Sequence, residues 1–140
     1  AIAKWKYHLA TVAPSSSHIP FMRTTKIHQF LAGSEISNVA YDLQNLRIQV
    51  GRFVVLFTDA VGFRVLDEGD LLEFWPVCST APGGGLFEIH DGGWLEQESR
   101  RKGFMSSSTR PGLREFLVTG SDDCVGVFAF SAPELAVGIE

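Results

Sequence analysis

The chain has 140 residues, 45% of them hydrophobic and 11% aromatic, enough to bury one full-sized core as a single domain over residues 1–140. Charged residues make up 20% and the net charge is −4, from 12 bases against 16 acids, which argues against a disordered chain and against a nucleic-acid partner. No apolar run approaches the roughly 18 residues that span a bilayer, and Ala1-Ile2-Ala3-Lys4-Trp5-Lys6 lacks the apolar stretch of a secretory signal, so a cytoplasmic protein without a membrane partner is expected.

The first segment alternates, with Ala3, Trp5, Tyr7 and Leu9 on one face and Lys4, Lys6 and His8 on the other, the pattern of a half-buried strand. Pro14-Ser15-Ser16-Ser17-His18-Ile19-Pro20 then reads as a loop. Ile27, Phe30 and Leu31 fall at helical spacing with Gly33 as a stop, which predicts a short helix over residues 24–32.

Asn38-Val39-Ala40-Tyr41, the turn signals Asp42 and Asn45, and the alternation of Leu46, Ile48 and Val50 with Arg47 and Gln49 predict a hairpin. A helix over 36–43 capped by Ser34 also fits the spacing, but the paired turn residues favour the hairpin. Phe53-Val54-Val55-Leu56-Phe57 reads as a central strand covered on both faces, and Thr58-Asp59-Ala60-Val61-Gly62 turns into Phe63-Arg64-Val65-Leu66.

Beyond Pro82-Gly83-Gly84-Gly85 comes a short strand at Leu86–His90. The best helix signal follows over 94–103, with acids near its start, bases near its end and Gly103 after them. Residues 106–112 form a second loop, and Arg114–Thr119, Gly120–Asp123 and Cys124–Phe130 make a second hairpin. Together these predict an α+β fold, mainly antiparallel, with seven or eight short strands in a curved sheet or partly open barrel and one or two short helices.

Charge is distributed unevenly. Residues 1–58 hold six bases against two acids, residues 59–98 hold Arg64 against nine acids, and the last 42 residues balance five against five. Asp67, Glu68, Asp70 and Glu73 crowd between two apolar runs. They could supply oxygens to a hard cation, but they lack the spacing of a twelve-residue calcium loop, so no metal is expected. The alternative is a solvated turn in which Arg64 pairs with one of them.

Glu88, His90 and Asp91 are the most catalytic-looking cluster, because nearby carboxylates tune a histidine toward neutral pH. Glu88 and His90 share one face of an alternating strand, which equally describes the wet side of an edge strand. Trp75 and Trp94 could wall a ligand pocket beside them or anchor the core. His8, His18, His28 and His90 show no zinc spacing, the serines no nucleophile elbow, and the glycine run lacks the Lys of a phosphate loop, so no cofactor is expected. Cys78 and Cys124 match no metal or redox spacing and read as free buried thiols.

The segments Val61–Leu71, Asp91–Glu96 and Leu113–Val118 resemble those of small, uncharacterised bacterial accessory proteins over about residues 36–135, a resemblance that attaches no activity, cofactor or catalytic residue. Some proteins of that kind accompany toxins, by analogy alone. The first expectation is therefore a non-enzymatic, immunity-like interaction module that presents Asp67, Glu68, Asp70, Glu73 and Glu96 to a basic protein partner. The second is a small-molecule-binding or hydrolytic domain with a pocket near Trp75, Glu88, His90, Asp91 and Trp94. A third is a homodimer or larger homo-oligomer built by edge-strand pairing.

Overall fold

A computed structural model describes residues 22–67, 84–104 and 111–138. The expected mainly antiparallel α+β fold holds, with nine strands among the described residues and one short helix. The strands form two open sheets and not a closed barrel. The first sheet has five strands: β1 (Arg23–Gln29), β6 (Gly85–Asp91), β7 (Arg114–Thr119), β8 (Asp123–Ala129) and β5 (Ala60–Asp67), in that order across the sheet. The second has four, in the order β2 (Ile36–Tyr41), β3 (Leu46–Val50), β4 (Phe53–Phe57) and β9 (Glu134–Val137).

Alternation puts one face of each sheet into a shared core. Leu46, Ile48, Val50, Val55 and Phe57 from the four-stranded sheet meet Leu86, Phe116, Val118, Val125 and Val127 from the five-stranded one. Phe57 and Phe116 touch across the middle with ring centroids 5.3 Å apart. A second cluster, Met22, Phe87, Ile89, Leu117 and Cys124, lies on the opposite face of the five-stranded sheet, with Leu66 and Trp94 packed against it. There α1 (Trp94–Ser99) sits. β7, in the middle of this sheet, is covered on both faces, with Glu115 to Thr119 all buried, as is its neighbour β8 from Cys124 to Ala129.

The predicted hairpin at 36–50 is β2 and β3, and its turn is closed by Asp42, whose Oδ1 accepts from the backbone N–H groups of Gln44 at 2.9 Å and Asn45 at 2.6 Å. The second predicted hairpin is β7 and β8, paired without irregularity. Cys124 is a free buried thiol, as expected, while Cys78 lies outside the described residues. So do the strand expected at residues 3–9 and the first loop.

Three expectations are corrected. Residues 24–32 do not form a helix: 23–29 are β1, an edge strand whose backbone bonds to β6 and whose His28 ring packs edge-on against Phe30 and Phe53. The three-and-four spacing of Ile27, Phe30 and Leu31 misled because the ladder slips between Lys26 and His28, which breaks the two-residue period. The strand at 53–57 has one buried face only, since Val54 and Leu56 lie on the outer, half-covered side of the four-stranded sheet. The helix expected over 94–103 ends at Ser99, and three-residue turns carry the chain on to Phe104, so Arg100, Arg101 and Lys102 lie beyond it.

Phe116 is fully buried between the sheets. Phe116→Ala is expected to cost about 3–5 kcal/mol of unfolding free energy in a urea titration, from lost burial plus the cavity left against Phe57.

Candidate functional site

β6 carries Glu88, His90 and Asp91, the most catalytic-looking cluster of the sequence, and its two neighbours engage all three. Glu88 accepts two hydrogen bonds from Arg114 of β7, from Nε to Oε2 at 2.8 Å and from Nη2 to Oε1 at 2.8 Å. This bidentate pair holds the Glu88 carboxyl below the usual glutamate range and raises Arg114 in turn. The His90 ring lies 2.8 Å, Nε2 to Oγ1, from the Thr25 hydroxyl of β1. Arg23 of β1 donates to Asp91 at 2.8 Å in an exposed ion pair. Glu88 and His90 do share a face, as alternation required, but the carboxylate's partner is a guanidinium.

On the other face of the sheet stands a carboxyl that the sequence did not single out. Glu115 of β7 is 2% exposed, flanked in the ladder by Ile89 of β6 and Phe128 of β8. Its Oε2 accepts from the backbone N–H of Trp94 at 3.0 Å and its Oε1 from that of Leu95 at 2.8 Å. α1 begins at Gly93, which offers no side-chain cap, so the carboxyl from the sheet beneath serves the first two helical N–H groups. Gly93 allows the approach: a Cβ there would stand 2.6 Å from Ile89 Cγ2 and 2.7 Å from Glu115 Oε1. Burial pushes Glu115 up to about 7. The two N–H bonds and Arg64 pull the other way, and Glu96 adds to the rise.

Trp94 closes the arrangement. Its indole stacks on Phe128 with ring centroids 3.9 Å apart and lies over Gly126, where a Cβ would come within 3.2 Å of indole Cε3. The Arg64 guanidinium sits 4.4 Å from the ring centroid, and the indole N–H donates to Glu98 at 3.3 Å. Trp94 is thus half-buried packing between helix and sheet.

Between α1 and the end of β6 opens a cleft of about 170 Å³, lined by residues 89–93, Leu95, Glu96, Ser99 and Glu115. It unites His90 and Asp91, expected in a ligand pocket, with Glu96, expected on a partner surface and paired here with Arg100 at 3.4 Å. Glu88 and Trp94 are not among its lining residues. Small-molecule sites usually measure roughly 300–1,000 Å³. Asp67 ends β5 directly opposite Asp123 of β8, both exposed, while Glu68, Asp70, Glu73 and Trp75 lie outside the described residues. No group of three or more His, Cys, Asp or Glu among the described residues could hold a metal ion.

Two outcomes are expected. Gly93→Ala drives a methyl group into Ile89 and the Glu115 carboxyl, lowering stability by about 1–3 kcal/mol and the thermal midpoint with it. The Glu88 carboxyl is lowered in the folded state, so its pairing stabilises above pH 4.5 and is lost as pH falls through the lowered value. Glu88→Gln is therefore expected to cost about 1 kcal/mol at pH 7 and to flatten the acid limb of a stability-against-pH curve.

Comparison with protein-family models, with curated proteins and with solved structures found no match to this chain.

Proposed function

We propose that this chain is a non-enzymatic protein-interaction module, immunity-like in kind, whose acidic surface receives a basic protein partner. The observation that carries this reading is the meeting of Asp67 and Asp123, two exposed carboxylates placed directly opposite one another across β5 and β8, with Asp122 beside them. Exposed like charges at facing positions add to the negative potential at this end of the sheet, which draws a cationic partner. The engagement of the catalytic-looking groups supports the same reading. Glu88 is held by Arg114, Asp91 by Arg23, and His90 lies against Thr25.

Opposite charge on a partner would speed encounter and weaken with salt. A partner captured from lysate of the producing cells is expected to be a basic protein, retained at about 50 mM salt and released by about 300 mM. An Asp67→Asn/Glu96→Gln/Asp123→Asn variant is expected to retain at most about a tenth as much, a loss of roughly 1.4 kcal/mol. Equal retention by this variant would exclude the acidic surface.

A further inference from the structure

We propose that the docking of α1 onto the five-stranded sheet is a pH-responsive contact, firm while Glu115 carries its proton and loosened as the carboxylate ionises beneath the helix. The geometry assembles the parts of such a device. α1 has six residues, none fully buried, and no side-chain cap of its own. So short a helix does not hold by itself in water and depends on what it touches. It touches the sheet through the stacked Trp94 ring and through the two N–H bonds to Glu115. Glu115 is the one buried carboxyl among the described residues, and the cleft beside it gives water a way in once the helix lifts.

Ionised and docked, the carboxylate is shut away from water; ionised with the helix lifted, it regains hydration. Opening therefore becomes easier as the proton leaves. The groups around Glu115 set where this happens. Arg64 on β5 favours the anion, Glu96 on α1 disfavours it, and Glu98 on α1 is bound to Arg101 and to the indole. β6 contributes His90 and Asp91 at the cleft wall, with Asp91 offset by Arg23, and β8 presents Phe128 and Gly126 here with the Cys124 thiol farther along the same face. Burial dominates and leaves the folded value at about 7 against 4.5 for the free side chain. The contact is thus at full strength below pH 4.5 and weakens as pH rises toward 7.

Hydrogen exchange at the Trp94 and Leu95 amides, divided by the chemical exchange rate at each pH, reads the opening equilibrium. Opening is expected to rise about tenfold or more between about pH 5 and pH 7.5 and then level off, while the Val118 amide in β7 does not follow. Glu115→Gln should flatten the profile, and Glu96→Gln, a change on the exposed side of α1, should move its midpoint to lower pH. A flat profile in the unaltered protein would overturn the proposal, as would a pH dependence that survives in Glu115→Gln. If Glu115→Gln does not fold, the Glu96→Gln profile decides: a shifted midpoint supports the contact, and an unmoved one overturns it.

Discussion

Burial of β7 on both faces is the constraint from which the rest of this structure follows. One face supplies Phe116 and Val118 to the core between the sheets, and the other supplies Leu117 to the smaller cluster beneath the helix. A strand in that position has no wet side, so the carboxyl of Glu115 must find its hydrogen bonds inside the protein. It finds them at the start of α1, and the helix gains the cap that its own Gly93 cannot give. Removing either partner would leave the other stranded, which ties the placement of a surface helix to a residue in the middle of the sheet.

The same sheet sorts its charges by face. Arg114 and Glu88 lie toward the core side, where a forked, partly buried pair bridges β6 and β7. Arg64 and Glu115 lie on the helix side with an aromatic ring between helix and strand. Each acid near the cleft is engaged locally, by Arg23, by Arg100 or by backbone N–H groups. The carboxylates of Asp67 and Asp123 face one another across a ladder at one end of the same sheet.

Much of the sheet was legible in the sequence because alternation, turn residues and β-branched runs act over a few neighbouring positions. Asp42 and Asn45 announced the turn they close, and Gly120–Asp123 announced the other. β1 was misread because a slipped ladder hides the strand period, and β9 went unseen because Glu134–Val137 has four residues and pairs with β4, some eighty positions earlier in the chain. Of the site, His90 and Asp91 were read into a ligand pocket and Glu96 onto a partner surface, and the fold brings all three to one cleft. Glu115 escaped notice within Arg114-Glu115-Phe116-Leu117-Val118, where the signal was a lone acid in an apolar strand at the centre of the fold. Its partner is backbone twenty residues away, which no local pattern reports.

The borders of the two sheets carry a consequence of their own. β1 slips register twice, β2 and β5 once each, whereas the interior pairs β3 with β4, β6 with β7 and β7 with β8 run in step throughout. The remaining border, β9, is only four residues long. A neighbouring copy approaching any of these rims would meet a row of amides and carbonyls that is kinked or soon exhausted. Among the described residues, irregularity is thus confined to the outermost rows, which makes each rim a poorer template for a stacking neighbour than a long, even strand would be.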